Sequence, residues 1–123
     1  MATTTPEEHS DRFGSGSQAA SISNAIVQLH RRRYGKGPTK AKTFMLDDVV
    51  VCVYEGGVLP VEETLRDHGH SEMVHQVRRE FQIALDEEFR HIIEVETGRR
   101  VRVFLSQFDS DNDVGAEIFF LEP

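Results

Sequence analysis

Apolar positions along this chain alternate between two spacings. From about Ser17 to Tyr34, Ile22, Ile26 and Leu29, with Ala25 beside them, recur at the interval that lines one face of a helix. Ser17 stands where an N-cap belongs, and Arg31, Arg32 and Arg33 suit the negative end of the helix dipole. Gly35 offers a left-handed cap and Pro38 blocks continuation. Two β-rich runs follow, Lys40–Leu46 and Val49–Glu55, joined at Asp47-Asp48 as a tight hairpin. The second run, from Val49 to Tyr54, is apolar on both faces, the pattern of a strand shielded from water on both sides.

The helical spacing then returns. Pro60 opens a short helix to about Arg66, with Glu62 and Glu63 at its positive end. After a break at Asp67-His68-Gly69-His70, Ser71 is expected to cap a long helix that reaches about Thr97, with Gly98 as its C-cap. Its apolar stripe is Val74, Val77, Phe81, Leu85, Phe89 and Ile92, with Ala84 and Ile93. A helix of roughly 27 residues is a rod of ~40 Å, longer than a seven-residue strand of ~25 Å. A second hairpin closes the chain: Arg100–Phe108, an acidic loop over residues 109–113, and Val114–Leu121. In its first strand Val101, Val103 and Leu105 alternate with Arg100, Arg102 and Ser106, which puts Phe104 and Phe108 on the wetter face.

Each hairpin is marginal alone, so the pattern predicts an α+β fold: an N-terminal helix, two β-hairpins forming one four-stranded antiparallel sheet, and a long central helix across it. Residues 1–16, poor in large apolar side chains, are expected to form a disordered tail before a single domain over residues 17–123. The second apolar face of the sheet must be covered by the first helix or by another copy of the chain, and the extent of that face favours a homodimer.

Charge and composition narrow the function. Of 123 residues, 21 are acidic and 14 basic, a net charge of −7 that argues against a broad nucleic-acid surface. No run is apolar enough to span a bilayer, no signal-peptide pattern is present, and one cysteine allows neither an internal disulfide nor a cysteine-based zinc site. These features predict a cytoplasmic protein without a transmembrane segment.

Several motifs, in order, resemble one family. Leu29-His30, Tyr34-Gly35-Lys36-Gly37-Pro38, a strand pair, Pro60-Val61-Glu62-Glu63-Thr64-Leu65, Val77-Arg78-Arg79-Glu80 and Thr97-Gly98 before the last hairpin resemble the small MpsC-like family across Ile22–Leu121. Leu59 stands where that family's pattern has a capping threonine, which removes a hydroxyl from the helix start. The resemblance implies association with a bacterial sodium-translocating, membrane-potential-generating system, peripheral to the inner face of the membrane. It implies an accessory or regulatory role with a transporter subunit as partner, and supplies no catalytic residues.

The candidate chemistry is sparse. Arg31, Arg32, Arg33 and Lys36, followed by Lys40 and Lys42 with no acid between, form a basic stretch suited to an anion or an acidic partner, and Arg78 joins them as a candidate. The same stretch lacks the spacing of a phosphate-binding loop, and a helix stop with dipole-matched arginines is the favoured reading of it. Arg78 reads on structural grounds as one half of an ion pair with an acid. His68, His70 and His75 with Glu72 could gather round a metal, but no metal or cofactor is expected; the loop at Asp109 lacks the glycine and glutamate of a calcium loop. Cys52 reads as buried and inert. A non-enzymatic accessory domain is the leading expectation. The rival is a small enzyme or ligand-binding domain with a cleft beside the long helix, using Arg78, Glu62 and His75.

Overall fold

A computed structural model describes residues 16–123; the expected tail lies, but for Gly16, outside the described residues. The elements run α1 (Gly16–Tyr34), β1 (Lys40–Leu46), β2 (Val49–Glu55), α2 (Pro60–Asp67), α3 (Ser71–Ala84), α4 (Asp86–Thr97), β3 (Val101–Asp109) and β4 (Val114–Leu121). The four strands form one antiparallel sheet in the order β1-β2-β4-β3, so the two hairpins join through β2 and β4. The α+β reading of the sequence holds.

One face of this sheet carries the core. Val50 and Cys52 of β2, Phe104 of β3, and Phe119 and Leu121 of β4 meet Ile22, Ile26 and Leu29 of α1, Leu85 at the junction of α3 and α4, and Phe89 and Ile93 of α4. Both helices therefore cover the same side, and α1 does not shield the other. Across the outer face, Phe44, Val51, Ile118 and Leu105 pair in one row, with Leu46, Val49 and Phe120 beside them. Phe44, Leu46, Val53, Leu105 and Val114 are between 39% and 50% exposed there. No described helix lies over them.

Three local expectations change. The long helix is interrupted at Leu85, whose φ of −100° and ψ of 6° lie outside the helical range. Neither proline nor glycine stands there. Asp86, Glu87 and Glu88 follow as a fresh acidic first turn, and Arg90 Nε donates to Asp86 Oδ1 at 2.6 Å. Val77 is exposed rather than part of the apolar stripe; the buried line runs Val74, Arg78, Leu85, Phe89, Ile93. Finally, Phe104 and Phe108 are buried and Leu105 is exposed, the reverse of the simple alternation. A bulge between Val101 and Val103 inserts Arg102 as an extra residue, which shifts every later side chain to the opposite face.

The connections follow local chemistry. Asp47 adopts a φ of 46° in the β1–β2 turn, and Gly35 and Gly98 take left-handed conformations after α1 and α4. Ser17 lies within α1, which already runs from Gly16, so it does not cap that helix.

Candidate functional site: a polar cleft beneath α3

The cleft is organised by a buried ion pair. Arg78 sits one turn past Val74 on the inward side of α3, where an apolar residue would continue the stripe. Its Nε and Nη2 donate to Glu62 Oε2 and Oε1, both at 2.6 Å, and Nη2 also donates to Gly57 O at 2.9 Å. Glu62 in turn accepts from the Leu59 N–H at 2.9 Å. That contact supplies the carboxylate half of a capping box for α2, without any hydroxyl at Leu59. Tyr34 and Phe108 stack against the guanidinium, 4.3 Å and 4.0 Å from ring centroid to Cζ. The geometry is that of a desolvated, bidentate pair inside an aromatic sandwich.

Beside the pair opens a cleft of about 170 Å³, lined by Tyr34, Tyr54, His75, Arg78, Ser106 and Glu117 among others. Glu117 points inward from β4, opposite Cys52 on one neighbour and Ser106 on the other. Ser106 Oγ donates to its Oε1 at 2.6 Å, while Oε2 is buried with no protein partner. Burial pushes the Glu117 carboxyl up to about 8, against the opposing effects of the Ser106 hydrogen bond and the Arg78 charge. His75 Nε2 is a second buried atom without a partner, reaching the same cleft from α3. Tyr54 forms the remaining wall, its ring lying across Gly115. A Cβ on Gly115 would stand 2.3 Å from Tyr54 Cζ, so only glycine admits the ring there.

Burial governs the other titratable groups as well. His30, whose Nδ1–H donates to Ile26 O at 2.9 Å, is held down to about 4 chiefly by desolvation. Burial raises the Tyr34 hydroxyl to about 12 and the Cys52 thiol to about 11. Cys52 is thus an unreactive core thiol.

The residues singled out from the sequence do not converge on one point. Arg31, Arg32, Arg33 and Lys36 lie on the surface at the end of α1. Arg33 pairs with Glu88 at 2.8 Å and Lys36 Nζ donates to Val58 O at 3.0 Å. Arg78 is apart from them, buried and committed to Glu62. Among the described residues no three histidines, cysteines or acids converge on a metal position. His68 Nδ1 lies 2.8 Å from Thr64 O, and Asp109 serves its own loop, accepting from the Asp111 and Asn112 N–H groups. Of the three residues of the rival reading, Arg78 and His75 line the cleft, while Glu62 is held behind Arg78 as its ion-pair partner. Sequence reasoning missed Glu117 and Ser106. The available signal was a lone acid inside the apolar run from Val114 to Leu121.

Fold and cleft together define a small α+β protein with one helical side, one bare sheet face and no helix long and apolar enough to cross a membrane among its described residues. A family model described as the Na+-translocating membrane potential-generating system (MpsC) matches residues 15–123. The chain belongs to the MpsC family. No curated protein and no solved structure matches it.

Proposed function

We propose that the chain is a non-enzymatic accessory or regulatory domain of a bacterial membrane ion-transport system, acting as a homodimer at the cytoplasmic side of the membrane. Family membership supports the transport association. The observation that carries the dimer is the uncovered apolar face around Val51, Ile118 and Leu105.

A second copy suits that face by charge as well as by shape. A two-fold axis parallel to the strands lays β1 of one copy over β3 of the other. Lys40 and Lys42 then face the Gln107 and Asp109 edge, while the valines of β2 meet Ile118 and Phe120 of β4. Four strands by seven residues give a footprint of roughly 450 Å² per copy, at the small end for a specific interface. The dimer should therefore dissociate on dilution. Outside it, Arg31, Arg32, Arg33 and Lys36 offer a basic contact for an acidic surface of a transporter subunit.

Sedimentation velocity across a concentration series tests the reading. A monomer–dimer equilibrium that Phe44→Glu with Leu105→Glu abolishes, with circular dichroism unchanged, supports it. A monomer at every concentration removes the dimer. Co-purification with the membrane subunits of the ion-transport system, lost in Arg32→Glu, tests the accessory role; retention in that variant removes the basic contact.

A further inference from the structure

We propose that the cleft beneath α3 binds a small monovalent cation, an alkali ion or a primary ammonium, on the Glu117 carboxylate in exchange for the carboxyl proton. The proposal is independent of how the outer sheet face is covered.

Two observations from different elements point to a ligand. Glu117 is 1% exposed, lines the cleft, and leaves Oε2 without a partner; His75 Nε2 is likewise buried and unpartnered in the same cleft. Buried polar atoms are nearly always paired, because leaving one unpaired is costly, so two in one cavity mark it as built for something other than packing. The sign of the ligand follows from what is already used. Arg78 has Nε and Nη2 taken by Glu62 and Gly57 and both ring-facing sides covered, so it is no anion clamp. With that pair neutral, and the exposed Arg79 and Glu72 at the rim of the cleft opposite in charge to each other, the buried Glu117 sets the charge at its base. Its other walls supply oxygens, from the Ser106 and Tyr54 hydroxyls and the Gln82 amide. One carboxylate without a cluster of three acids or histidines suits a monovalent rather than a divalent ion. A volume of about 170 Å³ holds a benzene-sized molecule or a partly hydrated ion.

The exchange balances simply: the carboxyl releases one proton to solvent and the carboxylate takes one cation. The groups facing Glu117 are Arg78 and His75 of α3, Tyr34 of α1, Cys52 and Tyr54 of β2 and Ser106 of β3, with Glu72 and Arg79 of α3 at the rim of the cleft. The Glu117 carboxyl is held up to about 8 by burial, so protons compete with the cation throughout the neutral range.

Thermal unfolding of the full chain in sodium, ethylammonium and choline chlorides at equal ionic strength tests this. The midpoint should rise in sodium or in ethylammonium relative to bulky choline, and whichever salt raises it identifies the source. Apparent affinity should strengthen close to tenfold from pH 6 to 7 and about fivefold from pH 7 to 8, where the carboxyl approaches half-ionisation. Glu117→Gln should lose the shift. Equal midpoints in all three salts, or a shift that persists in Glu117→Gln, would overturn the site. Should that variant not fold, the pH series on the unmodified chain decides, since an affinity independent of pH also overturns it.

Discussion

Arg78 and Glu62 illustrate how a charged pair becomes a structural element. Each is under 8% exposed at its side chain, so breaking the pair strands a charge in a poorly solvated place. Glu62→Ala should destabilise the fold by about 3–5 kcal/mol in urea titration, more than an exposed pair such as Arg33–Glu88, which is worth ~0–1 kcal/mol. Gly115→Ala drives a methyl into the Tyr54 ring and should cost about 1–3 kcal/mol by the same measurement. The two buried groups that titrate between about pH 4 and 8, His30 and Glu117, act on stability in opposite directions. Between about 4 and 6.5 the folded state leaves His30 neutral while the unfolded state protonates it, so this contribution grows as pH rises. Glu117 keeps its proton in the folded state from its ordinary value of 4.5 up to about 8, so its contribution is full below 4.5 and is lost as pH rises to 8. The pair offset each other up to pH 6.5, above which Glu117 acts alone. Denaturation midpoints followed from pH 5 to 8.5 should therefore fall above 6.5, and Glu117→Gln should remove that fall. That Arg78 would seek an acid was legible in its position beside Val77. Which acid it would find was not, because Glu62 and Glu63 are equivalent until α2 is docked.

At the scale of elements, the helix ends and strand limits follow from local chemistry, and the register does not. Gly35 and Gly98 end their helices in left-handed conformations, and Pro60 opens α2, as residue preferences alone require. β3 defeats the alternation rule because one inserted residue reverses every side chain after it. Phe104→Ala should cost about 3–5 kcal/mol, and Leu105→Ala less than about 1 kcal/mol in dilute protein, an order that unbulged alternation would invert. The interruption at Leu85 has a similar character. The apolar spacing runs through it unbroken, and only the meeting of Leu85 with α1 and the sheet core, together with three acids starting a new turn, divides the rod.

For the molecule as a whole, the consequence of one-sided packing is a sheet with a wet apolar face. At the proposed interface, Val51→Lys should shift the sedimentation profile to monomer while leaving the denaturation midpoint of dilute protein within about 0.5 kcal/mol; a dimer that persists counts against face-to-face pairing. Element types, their order and the apolar double face of β2 were determined by the sequence by itself, because period, caps and turn residues act over a few neighbours. The docking of α1 and α4 on the same side, the bulge that buries Phe104, and the meeting of Glu117 with Ser106, His75 and the Arg78–Glu62 pair were decided only by the tertiary structure. Those outcomes join residues as far apart as Tyr34 and Glu117, and no local spacing encodes which distant polar groups must share a space once water has been squeezed out.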